Sequence, residues 1–271
     1  MTEGVQIGPL LIKFYSIFIL AGVLIAWILI KGESKRFKIS NDFVTNLIFW
    51  TIIMGIIGAR AYYVIFNWDY YSNNIVEIFK IWEGGLAIHG GILFGELTLI
   101  FYCRKYKVSA LRMMDISAPY LLIAQALGRW GNFFNQEAYG AATTYEHLKS
   151  LKFIPDFVIN GMNINGTFYT PTFYYESLWC LLGAIVILII RRFKHIRVGT
   201  QIGVYLMWYS LGRFFIESSR TDSLMLGNLK VAQVVSIALF IIGLFIILVQ
   251  ARKPKLEDMY NTEENVEVVN F

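Results

Sequence analysis

Three arginines, two glutamates and a histidine stand within hydrophobic stretches of this chain: Arg60, Arg129, Arg213, Glu176, Glu217 and His89. Charge in hydrocarbon is costly, so such residues mark ligand binding or chemistry by default. A guanidinium offers a planar fork of donors matched to phosphate, and three of them with Arg220 nearby exceed what pairing with Glu176 and Glu217 requires. The set implies an anionic ligand reachable from a membrane, for which an anionic phospholipid headgroup is the natural candidate.

Local context refines this. Arg129 lies in Gly128-Arg129-Trp130-Gly131-Asn132-Phe133-Phe134-Asn135-Gln136-Glu137. Glycines on both sides let backbone approach a ligand, and Asn132 and Asn135 add donors and acceptors. From Tyr209 to Arg220, the i, i+4, i+8 spacing stacks Tyr209, Arg213 and Glu217 on one helix face, with Arg220 beside Glu217. Glu217 is placed there to orient an Arg. His89 stands in Glu83-Gly84-Gly85-Leu86-Ala87-Ile88-His89-Gly90-Gly91. Imidazole is the side-chain type that titrates near neutral pH, so His89 is a candidate general base toward a nucleophile, with headgroup binding as its alternative role. A single Arg near a helix end can be an interfacial anchor. Anchoring does not account for six such residues together, nor for the glycines and amides around Arg129. Gly91 and Gly95 read as tight helix packing.

These residues need elements to hold them. The 271 residues are 56% hydrophobic and 16% charged, and the mean hydropathy is +0.54, which places the chain among integral membrane proteins. The fold expected is all-α, with seven transmembrane helices at about 11–30, 43–66, 86–102, 113–131, 172–190, 200–219 and 231–249. Together they form one domain, 1–252, followed by a polar tail, 253–271, that is expected to fray. Fifteen of the 24 Lys+Arg fall in alternate loops and the tail, which puts the N-terminus outside and the C-terminus in the cytoplasm. The basic pI near 9.1 thus reflects membrane orientation and not nucleic acid. The first apolar stretch lacks a basic leader and a small-residue cleavage site, so it reads as a retained span.

Topology gathers the polar residues. Tyr15, His89 and Glu176 sit near the starts of spans entered from outside, and Arg60, Arg129, Arg213 and Glu217 near the ends of spans finishing there. All seven then lie within about 10 Å of the outer interface. Two outside connections are long. The aromatic stretch 67–85 reads as an interfacial arm, and 132–171 as a small extracytoplasmic head.

Other signals are weaker. Cys103 and Cys180 read as small buried hydrophobes. Asp115 reads as a structural partner of Arg112 or a charge at a helix N-terminus. Glu96 reads as a buried polar contact, and Asn165-Gly166-Thr167 as a chance glycosylation triplet. No Walker lysine motif, HExxH or GxSxG occurs, and no metal or cofactor is called for. A different headgroup-processing enzyme would use the same arginines. An anionic lipid transporter would need polar residues through both leaflets and some repeat symmetry, neither of which is evident.

The runs around His89, Arg129 and Arg213 closely resemble those of the prolipoprotein diacylglyceryl transferase family. Gly58-Ala59-Arg60-Ala61-Tyr62-Tyr63, Trp82-Glu83-Gly84-Gly85, Tyr15, and Pro171 with Tyr175-Glu176 extend the match over nearly the whole chain. The resemblance implies a bacterial inner-membrane enzyme that moves diacylglycerol from phosphatidylglycerol to the lipobox cysteine of a prolipoprotein carrying its signal peptide, and releases glycerol 1-phosphate. It implies Arg129 and Arg213 as catalytic phosphate ligands and His89 as base or headgroup ligand. Tyr15, Arg60, Asn132, Asn135, Glu137, Gly140, Glu176, Tyr209, Glu217 and Arg220 would bind or orient substrate. Trp130 and Gln136 stand where the family commonly varies, and 139–170 carries little that can be matched.

Overall fold

The computed structural model describes residues 4–8, 10–218, 225–226, 229–252 and 259–261. Its helices are α1 (Phe14–Ser34), α2 (Asn41–Phe66), α3 (Trp68–Tyr71), α4 (Ile88–Lys105), α5 (Ala110–Asn135), α6 (Tyr145–Ser150), α7 (Asp156–Gly161), α8 (Thr172–Ile190), α9 (Thr200–Ser218) and α10 (Val231–Ala251). Short strands accompany them: β1 (Gly4–Ile7), β2 (Leu10–Lys13), β3 (Ala142–Thr143), β4 (Asn163–Ile164), β5 (Thr167–Tyr169), β6 (Met225–Leu226) and β7 (Leu229–Lys230). The chain is mostly helical, but not purely so. β1 and β2 pair antiparallel, which moves the start of the first helix to Phe14, and β3-β5-β4 form a small antiparallel sheet in the head.

Among the described residues, four helices are long and apolar enough to cross a membrane: Phe14–Phe37, Asn41–Phe66, Thr172–Ile190 and Val231–Ala251. They expose large aliphatic side chains such as Leu20, Ile28 and Ile241, as a surface covered by lipid does. The other three long helices, α4, α5 and α9, hold His89, Glu96, Asp115, Arg129, Arg213 and Glu217. The same residues that suggest chemistry therefore dilute their hydropathy.

The chain divides into two compact units, one of Met1–Leu29 and Met114–Thr262, the other of Ile30–Met113 with Glu263–Phe271. In the second unit, α2 is started by Ser40, whose hydroxyl accepts from the Phe43 N–H. It packs on α4 through bare backbone. A Cβ on Gly90 would lie 2.3 Å from the Gly58 carbonyl oxygen, and one on Gly58 would lie 2.3 Å from the Phe94 ring. Gly91 and Gly95 make looser contacts, 3.4 Å and 3.5 Å from their neighbours. The pair at Gly58 and Gly90 is where the helices need glycine. Gly90→Ala is expected to destabilise the protein by about 1–3 kcal/mol through overpacking, read as a lower unfolding midpoint in detergent, whereas Gly95→Ala should have little effect.

In the first unit, Asp115 is fully buried and caps α9: its carboxylate accepts from the backbone N–H of Gly199 (2.6 Å) and of Ile202 (2.8 Å). Beside it, buried Arg191 donates to Gln201 Oε1, the Tyr120 hydroxyl and the carbonyls of Asp115 and Ile116. Asp115 is thus a helix N-terminal charge, serving a helix remote in sequence. The expectation of a frayed tail needs correction at Met259–Asn261. Tyr260 is fully buried, its N–H donates to the Ile196 carbonyl, its ring lies 5.6 Å from the Arg191 guanidinium, and the Asn261 amide donates to the carbonyls of Arg191 and Phe193. One apolar ring can dock where the remainder of a segment is polar.

The head has its own core of Phe133, Leu148, Ile154, Val158, Ile159, Met162 and Phe173. It is joined to α8 by the Thr172 hydroxyl, which donates to the Ala138 carbonyl at 2.6 Å.

Candidate active site

α8 and α9 run antiparallel, and one repeated pattern sets their register. Trp179 and Trp208 stack with ring centroids 4.5 Å apart, and each indole N–H donates to the other's backbone carbonyl at 2.9 Å. Each ring rests on a glycine of the opposite helix. A Cβ on Gly212 would meet Trp179 at 2.3 Å, and one on Gly183 would meet Trp208 at 2.4 Å. Sequence reasoning missed these four residues, although a signal exists: Trp179 to Gly183 and Trp208 to Gly212 are the same Trp-x-x-x-Gly spacing in consecutive spans.

This register brings Glu176 of α8 against Arg213 of α9. Glu176 is a bridge: its Oε2 lies 2.5 Å from Arg129 Nε and its Oε1 3.2 Å from Arg213 Nη1. Arg213 reaches the other way too, its Nη2 lying 2.6 Å from Glu217 Oε2 one helical turn on. The carboxylates sit deeper than the cations. Glu176 and Glu217 side chains are 8% and 3% exposed, against 22% and 19% for Arg129 and Arg213. The glutamates therefore fix two guanidinium groups from behind while part of each faces outward. Among the described residues, which do not include Arg220, two cations of the array stand against two anions. The array offers an anion oriented donors.

Around the array, Glu176, Trp179, Cys180, Tyr209, Gly212, Arg213 and Ile216 line a narrow crevice of about 10 Å³, room for about one water. Cys180 and Cys103 are both buried free thiols. The Ser177 hydroxyl donates to the Ala126 carbonyl, tying α8 to α5 near Arg129. Two residues beyond Arg129, a Cβ on Gly131 would lie 2.7 Å from the Tyr15 ring, so glycine there admits Tyr15 of α1 against α5.

Past Arg129 the chain turns into the head. The Glu137 N–H donates to the Asn132 carbonyl, and Asn135 Nδ2 donates to Glu137 Oε1 at 3.3 Å. Gln136 and Ala138 hold positive φ of 51° and 55°, a left-handed backbone that side chains other than glycine adopt at some cost. Gly140 is pinned by its N–H to the Thr170 carbonyl at 2.9 Å.

The structure thus brings together Arg129, Glu176, Arg213, Glu217 and Tyr209, with Tyr15 packed beside the Arg129 run. His89 and Arg60 belong to the other unit. His89 is exposed, the second residue of α4, with its ring 6.3 Å from that of Tyr62. Arg60 is buried, and its guanidinium is directed at backbone carbonyls. Arg220 lies outside the described residues.

Residues 3–249 match the sequence pattern of the prolipoprotein diacylglyceryl transferase family. The chain belongs to that family. Its curated relatives include phosphatidylglycerol–prolipoprotein diacylglyceryl transferases of Listeria monocytogenes serotype 4b and of Staphylococcus carnosus. The first is 49% identical over 261 residues, covering 96% of this chain and 93% of the relative. The second is 45% identical over 258 residues, covering 94% and 93%. Staphylococcus saprophyticus supplies another, 44% identical over 249 residues, covering 92% and 88%. Family membership places the Arg–Glu array of α5, α8 and α9 in a protein whose relatives are named for a lipid-phosphate donor.

Proposed function

We propose that this chain transfers the diacylglyceryl group of phosphatidylglycerol to the lipobox cysteine thiol of a prolipoprotein, forming a thioether and releasing glycerol 1-phosphate. The observation that carries the reading is Glu176 bridging Arg129 and Arg213, with both guanidinium groups more exposed than the carboxylates that hold them. In the reaction the thiol sulfur attacks the glycerol carbon, a carbon–sulfur bond forms, and the carbon–oxygen bond to phosphate breaks. The electron pair leaves with glycerol phosphate. Developing charge on that leaving group is what preorganised guanidinium donors stabilise. A free thiol has a pKa of about 8.5, so its deprotonation asks little of a base.

Seven spans, with the N-terminus outside and the C-terminus in the cytoplasm of a bacterial cell, would set the array at the outer leaflet of the inner membrane, where donor headgroups and emerging signal peptides are available. The arm would then lie among headgroups. Tyr15, Asn132, Asn135, Glu137, Gly140 and Tyr209 would shape the donor pocket, and Glu217 would hold Arg213.

The test is to incubate the protein with phosphatidylglycerol and a lipobox peptide and weigh the product. A diacylglyceryl increment on cysteine with released glycerol phosphate is expected; an unmodified peptide would overturn the reading. His89 is our candidate for the base that takes the thiol proton, with headgroup binding as its other role. As base, His89→Gln is expected to lower kcat about a hundredfold with KM for phosphatidylglycerol little changed, within the range general-base catalysis contributes. A raised KM with kcat kept would make His89 a headgroup ligand instead.

A further inference from the structure

The connection between α2 and α4 contains one short α-helical turn and two 3-10 turns, at Ile75–Phe79 and Ile81–Glu83, with no strand ladder to satisfy its carbonyls. Five of those carbonyls converge on Arg60. Its Nε donates to Ile78 (2.9 Å), Nη1 to Gly84 (2.8 Å) and Gly85 (3.0 Å), and Nη2 to Glu77 (2.5 Å) and Lys80 (3.4 Å). A guanidinium has five N–H groups, and here five carbonyl oxygens receive them. The Tyr71 ring, 5.2 Å from the guanidinium carbon, closes one side. Arg60 is 7% exposed, and no fork of donors remains for a phosphate.

We infer that Arg60 is a positioning residue: it clasps the arm to α2 and so sets the backbone that runs from Gly85 into His89. Neighbouring contacts continue the same seam. Gly85 holds φ +71°, and a Cβ there would lie 2.4 Å from Arg60 Nη1, so the clasp admits only glycine. The Ala87 N–H donates to the Ala59 carbonyl at 3.0 Å, and Gly90 abuts Gly58. Residues 84–90 are thus tied to residues 58–60 at successive points, and His89 lies between the last two ties. Lysine, with three donors on a single nitrogen, does not reproduce five directed bonds.

The kinetic half of the test rests on the proposed transfer reaction; the other half does not. In the full chain, Arg60→Lys and Gly85→Ala are each expected to lower kcat for diacylglyceryl transfer about tenfold or more, the scale of a misplaced catalytic group. KM for phosphatidylglycerol should stay within about twofold, since no phosphate contact is lost. Amide hydrogen exchange should rise across 77–90 in both variants and stay as in the wild type in α8 and α9. A large rise in KM with unchanged exchange in the arm would make Arg60 an anion ligand and overturn the inference; so would unchanged kcat and exchange. Should Arg60→Lys lose protection throughout, Gly85→Ala, which keeps the guanidinium, decides by the same criteria. A wild-type protein without transfer activity would sink the proposed function, while exchange would still decide the clasp.

Discussion

Arg129→Ala is expected to lower diacylglyceryl transfer by about 10²–10³-fold, the effect of removing one preorganised donor from developing negative charge. Two consequences add in this structure. The variant loses the cation proposed to face the leaving group, and it leaves Glu176 with Arg213 alone, so the bridge that holds both guanidinium groups opens. Arg129→Lys restores the charge without the planar fork and is expected to recover only a minor part of the rate. Glu176→Gln separates the two contributions. It keeps the side-chain shape and removes the charge that orients both arginines, so kcat should fall while the protein remains folded. Rates with saturating phosphatidylglycerol and a lipobox peptide check all three. Wild-type turnover in Arg129→Ala would refute a role for this array in the chemistry.

The largest effect on stability is expected at the other end of α9. Asp115→Ala removes both acceptors from the Gly199 and Ile202 N–H groups and leaves buried Arg191 without its neighbouring carboxylate. Breaking one partner of a buried charged network costs about 3–5 kcal/mol. Asp115→Asn, which keeps one oxygen as an acceptor, should lose less. From Gly199 to Arg213 is about 21 Å along the helix axis, so kcat per folded molecule should stay near that of the wild type. Unfolding midpoints in detergent, taken with activity of the folded fraction, distinguish this from a catalytic role; a midpoint unchanged in Asp115→Ala would contradict it.

Reading charge against hydrophobic context found Arg129, Glu176, Arg213 and Glu217, because such residues in apolar helices need a reason. The i, i+4 step from Arg213 to Glu217 is an ion pair in the structure. Arg60 carries the same signal in the sequence for another purpose, since its partners are backbone carbonyls and residue type does not encode those. Asp115 was legible as a charge at a helix N-terminus, but not which helix it serves: its partners are N–H groups more than eighty positions away. The Trp-x-x-x-Gly pairs of α8 and α9 were present as spacing, but only the antiparallel register shows that each ring needs the opposite glycine. Helix positions were legible from apolar length. The small strands were not, because two- to four-residue ladders have no periodicity to read.

In the proposed reaction Arg129 and Arg213 act on a phosphate that leaves as a unit when carbon–oxygen bond cleavage transfers diacylglycerol to sulfur. Phosphatidylglycerol labelled with oxygen-18 at the bridge between the diacylglycerol carbon and phosphorus tests it directly. With a lipobox peptide as acceptor, the label should appear wholly in the released glycerol phosphate, and the thioether product should carry none. Label retained on diacylglycerol would mean phosphorus–oxygen cleavage, and the account given for the two arginines would be wrong.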